Sequence, residues 1–212
     1  MKLVLIADTH TQQADLTVPD GDVLIHVGDF SEGSSMHGQS LTRDFLDWFA
    51  LQPHEHKIFI AGNHDFWAEK NKCLLADEAQ ARDLIYLMDE WTEIDGVKFW
   101  GTPWVPNLLG WAFHERGPAY ASRRLGAIDI EIDVMISHGP PFGIGDRLSE
   151  SGERVGCPAL LQWANDHQPR VHVSGHIHED AGLNRIGETT FVNASVLNEH
   201  YVLTNDPVVV EL

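Results

Sequence analysis

Positive charge is in short supply in this 212-residue chain: 14 lysines and arginines face 32 aspartates and glutamates, a formal net charge of −18 at pH 7. Such a surface repels phosphate polymers and anionic lipid, which argues against nucleic-acid polymers and membranes as partners. Any phosphate handled here has to be attracted locally, and bound cations are the obvious means. Cysteine is almost absent. Cys73 and Cys157 form no CxxC pair and are too sparse for a secreted disulfide scaffold, so a reducing, cytoplasmic setting is expected. Long hydrophobic runs are missing as well. The run Leu3-Val4-Leu5-Ile6-Ala7 stops at Asp8, well short of the roughly 20 residues that span a bilayer and short even for a secretory core. Without an export signal the sequon Asn193-Ala194-Ser195 carries no weight.

Repeats and low-complexity segments are lacking too. The remainder has an ordinary globular composition, 43% hydrophobic and 22% charged, and its length suits a single domain over 1–212. Short apolar runs alternate with amphipathic stretches, which predicts an α/β fold. Strands are expected over 2–7, 22–27, 57–61, 133–137 and 170–174, each so continuously apolar that both faces should be buried. Asp95-Gly96 between two β-prone runs predicts a hairpin, and 207–212 reads as a last strand. Helices are expected over 41–51, part of 74–84, and 157–166, where Pro158 suits a first turn. The Gly-, Pro- and Ser-rich stretches 31–39, 102–118 and 139–156 read as loops around a site.

Five clusters follow these strands: Asp8-Thr9-His10, Gly28-Asp29, Gly62-Asn63-His64-Asp65, Ser137-His138-Gly139 and Gly175-His176-Ile177-His178. Strand ends of an α/β sheet open into one crevice, so residues distant in sequence can converge there. Histidine, aspartate and a lone asparagine make an oxygen and nitrogen donor set suited to Mn²⁺, Zn²⁺ or Fe rather than to a thiolate-bound metal. Asp8 and His10, and likewise His176 and His178, are two apart, which in extended chain aims both side chains the same way. Glycines at 28, 62, 139 and 175 would let the chain turn sharply off each strand. Read from these residues alone, the pattern is a two-metal site with one bridging carboxylate. A pair of ions about 3.5–4 Å apart suits in-line displacement at phosphorus.

The same order, Asp-x-His, Gly-Asp, Gly-Asn-His-Asp, His, Gly-His-x-His, resembles the calcineurin-like metallophosphoesterase superfamily from residue 8 to residue 178. The runs 22–30, Gly101-Thr102-Pro103-Trp104, Ser137-His138-Gly139-Pro140-Pro141 and Val192-Asn193-Ala194-Ser195 are similar to its small metallophosphoesterase-domain-containing phosphodiesterases, whose members hydrolyse cyclic nucleotides and other phosphodiesters. The resemblance implies a four-layer fold, a two-sheet β-sandwich flanked by helices. It implies one ion on Asp8, His10, Asp29 and His178 and another on Asp29, Asn63, His138 and His176, with Asp29 bridging. Mn²⁺ is the first expectation, with Fe, Zn²⁺, Co²⁺ or Ni²⁺ as alternatives. A metal-bridging hydroxide would attack phosphorus, while His64 would stabilise the transferring oxygens and protonate the departing alkoxide. Asp65 would orient that imidazole or, more blandly, cap a helix. Glu32, three residues past Asp29, departs from the tyrosine of purple acid phosphatases and from the Asp-Arg-Gly run of the Ser/Thr protein phosphatases.

Other features weigh less. Gly33 to Ser40 mimics a P-loop, but Gln39 replaces its lysine. His54-Glu55-His56 precedes a strand instead of following it and reads as a solvated turn; His26, inside an apolar strand, reads as a satisfied core or supporting histidine. Trp67, Trp104, Trp111 and Phe142 could stack on a base or merely pack. Among the loop arginines Arg116, Arg147 and Arg154, Arg147 is the favoured phosphate clamp because it follows the His138 loop. The expected function is metal-dependent hydrolysis of a small-molecule phosphodiester, plausibly a cyclic nucleotide. The rivals are a phosphomonoesterase on the same site, a nuclease, which the net charge disfavours, and a metal-bound interaction scaffold with negligible turnover.

Overall fold

The computed structural model describes residues 1–33, 37–106 and 108–212. In chain order the strands are β1 Lys2–Ile6, β2 Val23–Val27, β3 His56–Ile60, β4 Ile85–Tyr86, β5 Glu90–Ile94, β6 Val97–Thr102, β7 Val105–Pro106 and β8 His114–Glu115. They continue as β9 Val134–Ser137, β10 Val171–Ser174, β11 Gly182–Ile186, β12 Thr189–Asn193 and β13 Val208–Glu211. The α-helices are α1 Gly38–Ala50, α2 Phe66–Lys70, α3 Lys72–Gln80, α4 Pro118–Leu125 and α5 Pro158–His167.

Two large sheets carry the fold, one ordered β13-β1-β2-β3-β4 and the other β11-β12-β10-β9-β6-β5. The inner strands run parallel, β1, β2 and β3 in the first sheet and β6, β9, β10 and β12 in the second, and the edge strand β4 pairs parallel with β3. Antiparallel neighbours flank them, β13 beside β1, β11 beside β12 and β5 beside β6. The period-2 alternation of a strand decides what fills each face. Leu3, Leu5, Ile25 and Ile58 meet Phe99, Val134, Ile136 and Val173 between the sheets. Val4, Ile6, Leu24 and Phe59 point the other way, against Phe45 and Phe49 of α1 and Leu75 of α3. On the far side Trp100, Met135 and Phe191 receive Leu125 of α4 and Leu160 and Trp163 of α5. The result is four layers, helix–sheet–sheet–helix, and each inner strand is buried twice over, which is why it reads as an unbroken apolar run.

All the expected strands form, within a residue or two of the expected ends, and the Asp95-Gly96 hairpin joins β5 to β6. Three expected helices form as α1, α3 and α5. Unanticipated are α4, the short strands β4, β7 and β8, two of them within the stretch 102–118 read as a loop, and the hairpin of β11 and β12, while α2 follows Asp65 as its capping alternative implied. Residues 34–36 of the P-loop-like stretch lie outside the described residues. His54, expected on a solvated turn, is instead buried, with its Nε2 3.0 Å from the carbonyl of Pro19. Among the described residues no helix is long and apolar enough to cross a membrane.

The parallel strands of both sheets end along one edge, where the sheets are laced together. The Ala7 N–H donates to the Ala194 carbonyl at 2.9 Å, and the Val196 N–H to the Ala7 carbonyl at 3.1 Å. Asp8 and His10 follow β1, Asp29 follows β2, Asn63 and His64 follow β3, His138 follows β9, and His176 and His178 follow β10.

Candidate metal centre

These residues converge. The ligand atoms of Asp8, His10 and His178 all lie within 4.8 Å of one another, and so do those of Asp29, His138 and His176 and those of His10, Asp29 and His64. They do not converge by the route the spacing suggested. Asp8 and His10 are not extended: Asp8 (φ 57°), His10 (φ 39°) and Thr11 (φ 67°) turn left-handed, as do Asp29 (φ 57°) and His176 (φ 70°). Such conformations cost about 1–3 kcal/mol each for a residue with a Cβ and persist only where the surroundings enforce them. Here the enforcement is a backbone ladder: the amides of Asp8 and His10 donate to the carbonyls of Gly28 and Asp29, both at 3.0 Å. Gly28 (φ 94°) permits the close approach, because a Cβ there would stand 2.7 Å from both the Ala61 carbonyl oxygen and His138 Nδ1.

Asp8, Asp29, His10, His138 and His178 each have one polar atom tied to the scaffold and another turned inward. Asp8 Oδ2 accepts the His176 N–H at 2.9 Å and the Ser195 hydroxyl, leaving Oδ1 buried and unpartnered 3.9 Å from His178 Nε2. Asp29 Oδ1 accepts the His64 N–H at 2.7 Å, while Oδ2 lies 3.2 Å from His138 Nε2 and 3.9 Å from His10 Nε2. Asp29 therefore stands between the two groups, with Oδ2 turned toward both. The Nδ1 atoms of His10, His138 and His178 meet the carbonyls of Ser31 (3.1 Å), Val27 (2.8 Å) and Asn198 (3.1 Å). A carbonyl only accepts, so each Nδ1 carries a proton and each ring turns Nε2 inward, where a bound cation would find its lone pair, the arrangement that supports a metal-binding histidine. His138 Nε2 also faces Asn63 Oδ1 at 2.9 Å. Lone pairs crowded against carboxylate oxygens need positive charge among them, and the buried, unpartnered His10 Nε2 and Asp8 Oδ1 ask for the same. The donor set fits a cation pair.

With no cation bound, a proton on His138 supplies the positive charge. Burial alone would depress His138, but the Asp29 carboxylate outweighs it and pushes His138 up to about 9. Burial likewise opposes ionisation of Asp29, yet His138 at contact distance holds it well below the usual carboxylate range. In His176 burial prevails, reinforced by the charge of His138, and the ring falls to about 3.

Asp65 does not orient His64. Its carboxylate accepts the backbone amides of Gly62 (2.7 Å), Asp29 (2.9 Å) and Ser31 (3.0 Å) and the Ser31 hydroxyl (2.9 Å), so it staples the loop after β2 to the loop after β3. It precedes α2 but makes no side-chain cap. Burial, then the nearby charge of Asp29, pushes it up to about 7. His64 is held through its backbone, and its ring packs 4.5 Å from those of both His10 and Trp111.

A cavity of about 510 Å³ opens over the centre, lined by Asp29, Asn63, His64, His176 and His178 and by Trp111, Tyr201 and the acidic Glu150, Glu179 and Glu199. Its described lining contains no lysine or arginine. Arg147 lies outside it, its guanidinium beside Gly152, and Arg154 is engaged by Asp146 at 2.7 Å. Of the aromatic candidates only Trp111 reaches this cavity; Trp104 packs on Phe113, and Trp67 lies against the α1 layer. His26 proves a satisfied core histidine, taking the Gly28 N–H at Nδ1 (3.3 Å) and meeting the Thr9 hydroxyl at Nε2 (3.0 Å).

Two residues of the run Val192-Asn193-Ala194-Ser195, to which the sequence assigned no role, support the site. Ser195 holds Asp8, and Asn193 donates to the carbonyls of Ile177 (2.7 Å) and Gly145 (3.0 Å), pinning the loop that carries His176 and His178. The run ending at Asn193 was a legible signal, since that residue too ends a parallel strand. It is buried, which disposes of the sequon.

The family model for calcineurin-like phosphoesterases matches residues 1–180. The chain belongs to that family. This calcineurin-like phosphoesterase is 36% identical to metallophosphoesterase domain-containing protein 1 of Homo sapiens, over 100% of this chain and 71% of the relative. It is 34% identical to UPF0046 protein K07C11.7 of Caenorhabditis elegans, over 99% of this chain and 74% of that one. Among solved structures TT1561 of Thermus thermophilus shares the fold, with a TM-score of 0.63 at 10% identity over 91% of this chain and 88% of its own. Phosphoester hydrolysis with divalent metal is the family's chemistry.

Proposed function

We propose that this phosphoesterase is a two-metal phosphodiesterase acting on small molecules, cyclic nucleotides among them. Asp8, His10, Asp29 and His178 would hold one ion, and Asp29, Asn63, His138 and His176 the other. The observation that carries the reading is the pairing of one anchored and one inward-facing atom on each of Asp8, Asp29, His10, His138 and His178. Oxygen and nitrogen donors favour Mn²⁺, then Fe, Zn²⁺, Co²⁺ or Ni²⁺. When bound, such ions supply Lewis-acid charge to the attacked phosphoryl group and lower the pKa of a water toward neutrality.

The chain's own residues do the rest. His64 reaches the cavity beside Asn63, positioned to meet the phosphoryl oxygens and give a proton to the departing oxygen. Trp111 offers a ring on which a base can stack, worth about 1–3 kcal/mol. The preference for diesters is supported by the rim: with Glu150, Glu179 and Glu199 and no cationic side chain among the described lining residues, a dianionic monoester is repelled more than a monoanionic diester. A nucleic-acid strand is disfavoured for the same reason. The free thiols of Cys73 and Cys157 suit a cytoplasmic setting.

The test compares bis(4-nitrophenyl) phosphate with 4-nitrophenyl phosphate on metal-stripped protein before and after Mn²⁺ is restored. Metal-dependent turnover with higher kcat/KM for the diester is expected; monoester preference overturns the diester assignment, and no turnover of either leaves a binding scaffold. His64→Ala should lose at least about 10²-fold in kcat while still binding metal.

A further inference from the structure

Tyr201 stands where two cavities meet. Its ring lies 4.9 Å from that of His10, 5.1 Å from His178 and 6.3 Å from His64. The backbone is left-handed there, at φ 58°, and a built turn holds it. Asn198 Oδ1 accepts the amides of His200 and Val202, both at 3.0 Å, and Gln12 Nε2 donates to the Tyr201 carbonyl at 3.1 Å. On one side of the ring is the cavity of about 510 Å³ with Trp111, Leu108 and Leu148 in its wall. On the other is a smaller chamber of about 310 Å³ lined by His10, Gln12, Glu32, His64 and Tyr201. His64 borders both.

We propose that the smaller chamber receives the alcohol released from the phosphodiester and selects small alcohols that donate hydrogen bonds, namely polyols and amino alcohols. The inference rests on the phosphodiesterase reading above. A diester carries two substituents, and this centre has two separate places for them. The larger, with apolar and aromatic walls, suits a base or ring. The smaller presents acceptors. Gln12 commits one amide N–H to the Tyr201 carbonyl, which leaves Oε1 and the second N–H. Glu32 takes the Thr11 hydroxyl at 3.0 Å on Oε1, which leaves Oε2. An ionised carboxylate accepts but never donates, so Glu32 Oε2 favours a ligand that brings a donor, and its charge repels an anionic alcohol. In the reaction the water oxygen forms the new P–O bond, and the ester P–O bond breaks with its electron pair passing to the alcohol oxygen. The protons balance, since the alcohol gains one and the water gives one up.

Adenosine 5′-phosphate esterified with glycerol, with 2-aminoethanol or with 1-propanol tests this on the Mn²⁺-loaded protein, with products separated chromatographically. Adenosine 5′-phosphate and free alcohol are the expected products. The two donor-bearing esters should exceed the propyl ester in kcat/KM by about tenfold, the factor expected of one hydrogen bond to a charged group. The ratio should collapse towards one in Glu32→Ala and persist in Tyr201→Phe. Equal rates on the three esters, release of adenosine, or a preference surviving Glu32→Ala overturns the assignment. With bis(4-nitrophenyl) phosphate turned over by the same preparation, those results sink the chamber alone; with that diester untouched, the phosphodiesterase reading falls and the chamber with it.

Discussion

Four backbone and hydroxyl donors converge on Asp65, the side chain whose role spacing described least well. A position between a histidine and a short helix suggests two local partners, the ring and the helix start, and the carboxylate serves neither. Its partners at 29 and 31 are distant in sequence, so no local pattern reveals them. The ligand candidates were legible for the opposite reason: each follows a run of buried apolar residues, and the run itself marks the edge where it emerges. Asp65→Ala would leave several buried donors unpaired, at about 1–3 kcal/mol for each. We therefore expect at least about 3 kcal/mol of lost stability by urea unfolding, together with weaker Mn²⁺ binding by calorimetry. A variant of native stability that was merely slow would return Asp65 to the imidazole-orienting role.

At the scale of elements, strands that read as continuous apolar runs announce themselves, and those that open on polar residues do not. β1, β2, β3, β9 and β10 are inner strands, apolar almost throughout. β11, Gly-Leu-Asn-Arg-Ile, is an exposed edge with neither a continuous run nor an alternation, and it conceals its partner β12. With β12 unrecognised, the run Val192-Asn193-Ala194-Ser195 had no strand end to place Asn193 and Ser195 at the site. The short helix α4 did carry a signal, Pro118 at its start, but it adjoined a Gly- and Pro-rich stretch that drew the loop reading over it. The role of β12 is testable through Asn193→Ala. Freed from the Ile177 and Gly145 carbonyls, the loop of His176 and His178 should bind metal about 10- to 100-fold more weakly, the usual cost of removing a residue that orients ligands. Calorimetric titration with Mn²⁺ reads this directly, and unchanged affinity would reduce Asn193 to a packing role.

Across the whole molecule the two sheets bury two histidines that the metal reading does not use, and both are held neutral. His26 in the first sheet and His172 in the second fall from the usual 6.5 to about 3; burial is the leading cause for each and the only one for His172. A histidine with a depressed folded pKa binds fewer protons than its unfolded counterpart between the two values. Its contribution to stability is complete above about 6.5 and is lost progressively as the pH falls towards about 3. From pH 7 to pH 5 each should cost the fold about 2 kcal/mol, a substantial share of the roughly 5–15 kcal/mol that holds a domain together. His172 Nε2 meets the Ser137 hydroxyl at 2.8 Å, and that hydroxyl donates to the Gly139 carbonyl, so the ring supplies the proton of the contact. Glutamine can supply an N–H without titrating. His172→Gln is therefore expected to be somewhat less stable at pH 7, yet to lose about 2 kcal/mol less than the parent between pH 7 and pH 5 in urea unfolding with the metal removed. Parallel losses in the two proteins would mean that His172 is not the neutral group proposed, and that the acid sensitivity of the fold resides in the carboxylates of the centre.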